Sequence, residues 1–144
     1  MSVETATITV SHLGGDRLGI SVRDHRLSTD QPAEDGGEDT APTPTELFLA
    51  SLAGCVAFYA ERYLRRHGLG TEGLLVECDW AWARDPLRVG SVELTVRAPS
   101  LPPEREEAFR RVVEQCPIHN TLRQPPYVRF KLPVSTSSKA PALS

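Results

Sequence analysis

Hydrophobic and polar positions alternate in the first part of the chain. Residues 5–10 (Thr-Ala-Thr-Ile-Thr-Val) are rich in β-formers and predict a strand. Gly14-Gly15-Asp16 marks a turn, and Leu18, Ile20 and Val22 alternate again, so a hairpin is expected. Residues 24–29 can add a third short strand. The stretch 31–42 is rich in Pro, Gly and acid, which predicts a surface loop. The pattern then changes. Thr43 reads as a helix N-cap, with Pro44 as first helical residue and Glu46 closing a capping box. This helix runs to about His67. Gly68 stops it, and Arg65, Arg66 and His67 suit the negative end of its dipole. Strands follow at 73–82, with Val76, Cys78, Trp80 and Trp82 on one face, and at 91–97, with Val92, Leu94 and Val96 on one face. Pro102-Pro103 opens a helix to Gln115 with an apolar stripe of Ala108, Phe109, Val112 and Val113. Pro117 begins a short helix that has Cys116 as its N-cap. Residues 127–134 read as a last strand and 135–144 as a disordered tail. This order predicts an α+β fold with antiparallel sheet rather than a doubly wound parallel one.

The long helix is apolar or small on almost every side from Leu47 to Ala60. A helix apolar all round is buried all round, and one small sheet covers only one side. Gly54 in mid-helix costs about 1 kcal/mol against alanine, so it reads as a point of close approach. Ala50 and Gly54, like Ala53 and Ala57, lie four apart along one face. A second such helix, most simply from another subunit, would pack there. The competing reading is an ordinary core helix of a monomer, which the burial limits of small domains disfavour.

Composition narrows the function classes. A chain of 144 residues fits one domain, taken as 1–134. A net charge of -3 gives no electrostatic footprint for nucleic acid. The N-terminus lacks the pattern of a secretory leader, and the apolar run is shorter than a bilayer span, so a cytoplasmic protein without membrane contact is expected. Its three cysteines are an odd count, and any disulfide in a reducing compartment is more in keeping with transient, catalytic use. The histidines and cysteines lack zinc-ligand spacing, and no phosphate loop or hydrolase motif is present, so neither metal nor cofactor is expected.

Two thiols remain as candidate chemistry. Cys55 shares its helix face with Ser51, Phe58, Tyr59 and Arg62, and is either a packed core cysteine or a redox thiol. Cys116, at a helix start, would stand beside free N–H groups, where thiol pKa values fall; it is either reactive or merely a small cap. Cys78 reads as core filling beside Trp80. The residues alone leave both readings of the Cys55/Cys116 pair open.

The segment Pro42-Thr43-Pro44-Thr45-Glu46-Leu47-Phe48-Leu49-Ala50-Ser51-Leu52-Ala53-Gly54-Cys55 resembles the P-x-P-x-E-L-x-x-A-x-x-G-C segment of the OsmC/Ohr family. Cys116-Pro117-Ile118-His119-Asn120-Thr121-Leu122 resembles its second signature, and Asp30-x-Pro32 with Gly36-Gly37 fits its approach loop. The resemblance runs from about residue 5 to 134. It implies an intertwined α+β homodimer, with antiparallel sheets of both chains wrapped around two long central helices. It further implies a thiol peroxidase that reduces organic hydroperoxides, with Cys55 as peroxidatic thiol, Cys116 as resolving thiol and, as the supporting cation, Arg17 as the best match, with Arg23 and Arg26 as alternatives. A dithiol such as a lipoyl group would be the reductant. The family's peroxidases also place a glutamate ten residues before the first cysteine; here that position is Thr45, and Glu46 has a capping role open to it. Two rival readings are a dithiol oxidoreductase that ignores peroxide, and a non-catalytic dimeric binding protein with an apolar interface pocket.

Overall fold

A computed structural model describes residues 5–133. Three strands come first: β1 (Thr9–Gly14), β2 (Arg17–Val22) and β3 (His25–Thr29), paired antiparallel in that order. The first strand lies four residues later than the alternation of 5–10 suggests. Its position is fixed by the turn at Gly15-Asp16, which pairs Val10 with Ile20 and His12 with Leu18.

The loop between β3 and the first helix is held by Asp30. Its carboxylate accepts from the Thr40 hydroxyl at 2.7 Å, the Thr40 amide at 3.0 Å and the Gln31 amide at 2.7 Å. Asp30 is only 1% exposed. The Thr40 hydroxyl, then the Thr40 amide, hold its pKa down at about 2, from an ordinary 3.8. Gly37 is required here, because a Cβ would collide with the Gln31 carbonyl. A depressed carboxylate stabilises the fold fully above its unfolded pKa, and that contribution fades as pH falls toward the folded value. Asp30→Asn should therefore lower Tm near neutrality, by on the order of 5 °C. The gap to wild type should close between pH 3.8 and about 2. Parallel melting curves across that window check it; a gap independent of pH would show that the carboxylate charge is not what holds the loop.

Helix α1 (Pro44–Arg66) begins as the sequence predicts. Thr43 Oγ1 accepts from the Glu46 amide at 3.1 Å, and Glu46 Oε1 accepts from the Thr43 amide at 2.9 Å. Caps of this kind contribute about 1 kcal/mol. The helix ends on Gly68, which has φ 67°. There the Leu69 amide donates to Leu64 O and the Gly68 amide to Arg65 O, closing the last carbonyls. As a 23-residue helix, α1 is long and apolar enough to cross a bilayer by composition, which the shorter run taken alone is not. In the fold it is a packing element whose stripe Leu49, Leu52, Val56, Ala60, Tyr63 and Leu64 is buried.

Against that stripe lie the hairpin β4 (Leu75–Ala83) and β5 (Arg88–Arg97), and the helices α2 (Glu106–Val113) and α3 (Pro117–Arg123). Val76, Val92, Leu94 and Val96 face the core, which Phe109, Val113 and Cys116 complete. Trp82 does not join Val76 on the core side, and Trp80 is half-buried. A bulge at Gly90 shifts the register after Ala81, leaving Trp82 exposed, its ring edge-on to Trp80 at 5.0 Å. The mixed α+β architecture with antiparallel sheets agrees with expectation.

One expectation is corrected within this single chain. Residues 127–133 form no strand and pair with neither sheet among the described residues, and Tyr127 and Phe130 are 87% and 84% exposed. Val134 and the expected tail at 135–144 lie outside the described residues. Within the single chain helix α1 is covered on one side only: Phe48, Ala50, Ser51, Gly54 and Phe58 are exposed, and nothing lies within 4 Å of a Cβ built on Gly54.

Candidate functional site: a thiol pair between two helices

Cys55 sits at the border between the buried stripe of α1 and its uncovered face. At about 100° per residue it follows Ser51 and precedes Tyr59 and Arg62 along one edge. It is half-buried and packs against the core cluster. Cys116 comes from the start of α3, fully buried at 0% exposure. Pro117 at the first helical position fixes that start, and the cysteine sulfur is the cap: Cys116 Sγ accepts from the His119 amide at 3.3 Å.

The fold brings these thiols together although 61 positions separate them in the chain. The two side chains lie near enough for Cys55 to influence the ionisation of Cys116. Both are free thiols. The direction of the Cys116 pKa corrects the expectation from its helix start. Burial, the largest influence, pushes it up. The His119 amide pulls it down, and the neighbouring Cys55 sulfur pushes it up again. A seven-residue helix start does not outweigh complete desolvation. Cys116 thus keeps its proton at neutral pH. Cys78 is raised too, first by burial and then by Asp79, in keeping with a packed strand residue.

Native protein treated with iodoacetamide near neutral pH should carry label on Cys55 at least about tenfold faster than on Cys116. Peptide mapping reads this directly, and equal rates would contradict the burial of Cys116.

The other expected participants fall elsewhere. Arg17 opens β2, half-buried, and among the described residues no hydrogen bond or ion pair joins it to either thiol. Glu46 is engaged at the cap and Thr45 brings no carboxylate. The His119 ring turns from the sulfur and its Nδ1 meets the Glu114 carbonyl at 2.8 Å, so only its backbone amide serves Cys116. That amide was not singled out by sequence, although the N-cap position of Cys116 implies it. An apolar cavity of about 780 Å³ lies between α1, β5 and α2, lined by Leu52, Val56, Val92, Leu94 and Phe109; neither thiol lines it. Among the described residues no group of three or more His, Cys, Asp or Glu is placed to hold a metal ion.

Comparison with known proteins bears on the family and the fold. No curated protein matches the chain. An osmotic stress induced and detoxification response protein from Psychrobacter arcticus is 24% identical, with a TM-score of 0.74 over 83% of this chain and 90% of that one. An OsmC-like hydroperoxide resistance protein from Jannaschia is 28% identical, with a TM-score of 0.53 over 89% and 91%. An organic hydroperoxide resistance protein OsmC from Legionella pneumophila is 23% identical, with a TM-score of 0.65 over 85% and 92%. The family model described as OsmC-like protein matches residues 36–131, two thirds of the chain, and both cysteines fall within it. The chain belongs to the OsmC-like protein family.

Proposed function

We propose that this protein is a cytoplasmic, thiol-dependent peroxidase that reduces organic hydroperoxides. The observation that carries the reading is the placement of Cys55, half-exposed, beside the buried, protonated Cys116. In the first step the Cys55 thiolate attacks the distal peroxide oxygen. The O–O bond breaks, the alkoxide leaves and takes a proton to become the alcohol, and Cys55 becomes a sulfenic acid. Cys116 then attacks the Cys55 sulfur, its proton leaves with the hydroxyl as water, and a disulfide forms. A dithiol, such as a lipoyl group, restores both thiols by exchange and is itself oxidised. Apolar neighbours suit an alkyl peroxide, and the hydroperoxide resistance named for the Jannaschia protein supports the substrate class. Arg17 is the proposed cation for the Cys55 thiolate, supplied from a second subunit.

The proposed assembly is a homodimer of this chain. Its support is the uncovered apolar face of α1, together with exposed Ile8, Val10, Leu13 and Leu27 on the first sheet and Tyr127, Val128, Phe130 and Leu132 after α3. A second copy supplies both a helix for that face and a strand edge for residues 127–133.

The test is consumption of cumene hydroperoxide by the wild-type protein with dihydrolipoamide. Saturable turnover supports the reading. No turnover, with rapid reduction of low-molecular-weight disulfides, would assign the pair to thiol exchange instead.

A further inference from the structure

Beyond the thiols, one cluster of side chains has no part in that chemistry. The chain has more acids than bases, 19 against 16, and four arginines are paired with glutamates: Arg65, Arg97, Arg110 and Arg111. Among the described residues Arg62, Arg66 and Arg105 enter no ion pair, yet they converge at the C-terminal end of α1. Arg62, Arg66, His67, Tyr59, Tyr63 and Val112 line a cavity of about 240 Å³. Arg105, from the turn before α2, stands beside it and donates to His67 Nδ1 at 3.0 Å and to the Tyr63 hydroxyl at 3.4 Å. No carboxylate lines the cavity.

The hydrogen bonds set its polarity. A guanidinium only donates, so His67 Nδ1 must be the acceptor and its ring proton sits on Nε2. The lining therefore holds two guanidiniums, a histidine that carries its proton on Nε2, and Tyr59. Its walls are fixed: Tyr63 is 6% exposed and stacks on His67 at 4.2 Å and edge-on to Phe109 at 5.4 Å. Arg62 lies over the Phe58 ring at 5.2 Å. The helix dipole favours basic residues in the last turn, which accounts for Arg65 and Arg66. It does not account for Arg105, which comes from another element, or for the aromatic walls.

We infer that this pocket binds the dianionic phosphate group of a small phosphorylated ligand. Two guanidiniums in a cavity without a carboxylate, with a third beside it, suit a divalent oxyanion better than a single carboxylate. The cavity is of a size for one phosphate ester. A ligand seated there lies on the Cys55 edge of α1, about 10 Å along the axis from Cys55 to Arg62. The inference does not rest on the peroxidase reading.

Isothermal titration calorimetry of the full chain with inorganic phosphate, at constant ionic strength and about pH 7.5 where the dianion is well populated, tests it. Saturable binding is expected with Kd on the order of 1 mM or tighter. Arg66→Gln, an exposed and fold-neutral change, and Arg105→Gln should each weaken it by about tenfold. Arg111→Gln, whose arginine pairs with exposed Glu107, should leave it unchanged. Acetate should bind at least about tenfold more weakly, and Cys55→Ser should bind phosphate as wild type does. Absence of saturation in the wild type, or wild-type binding by Arg66→Gln, would overturn the site. Equal binding of acetate would overturn the dianion assignment. Co-sedimentation with phosphatidic acid vesicles without binding of free phosphate would overturn the small-molecule assignment in favour of a lipid surface.

Discussion

Cys55→Ser should lose cumene hydroperoxide turnover by at least about 10³-fold, because a serine hydroxyl is not ionised near neutrality and cannot form the sulfenic acid. Cys116→Ser should behave differently. Its first oxidation still produces alcohol, one equivalent per chain, but the Cys55 sulfenic acid then persists and dimedone traps it. Steady turnover with a dithiol should fall by about 10-fold or more, since reduction must then proceed by direct attack of the external thiol. Single-turnover alcohol release and mass spectrometry of the dimedone adduct separate these steps. Dimedone labelling on Cys116 in preference to Cys55 would reverse the assigned roles, and full turnover by Cys55→Ser would remove the thiol pair from the reaction.

The second large effect concerns Gly54, where monomer and dimer predict opposite signs. In the isolated chain a side chain at Gly54 meets open space. Replacing glycine inside a helix by arginine would then stabilise a monomer by about 0.8 kcal/mol through propensity alone. In the proposed dimer the Ala50/Gly54 face is where the two α1 helices approach, and an arginine there must be desolvated against a neighbour. Gly54→Arg should therefore raise the dimer Kd by about 100-fold or more and lower Tm. Sedimentation velocity across a concentration series, with melting curves on the same samples, reads both. A monomeric wild type, or a stabilised variant that remains dimeric, would exclude this face as the interface.

What was legible in the sequence was what is local. Thr43, Pro44, Glu46 and Gly68 specify both ends of α1 through bonds spanning a few residues, and the structure realises them. The position of Cys116 at the start of α3 was legible for the same reason. Where the outcome depends on distant partners, the sequence pattern was insufficient. β1 is registered by its turn and not by its own alternation. Residues 127–133 alternate like a strand but join neither sheet among the described residues. No spacing rule places Cys55 beside Cys116; only the family resemblance suggested it. The direction of the Cys116 pKa follows from complete burial, which is a tertiary property, so the helix start misled. Arg105 comes to His67 from 38 positions away, and nothing in its own neighbourhood foretold that meeting.

Cys116 caps α3 with the same atom that would close the disulfide. Serine is a better N-cap than cysteine and is reached by a single base change. A lineage that kept this residue only to begin a helix would have an open path to serine, at the cost of burying a hydroxyl in place of a thiol. Drift at position 116 among descendants of this chain therefore records whether selection acts on the sulfur's chemistry or only on its hydrogen bond.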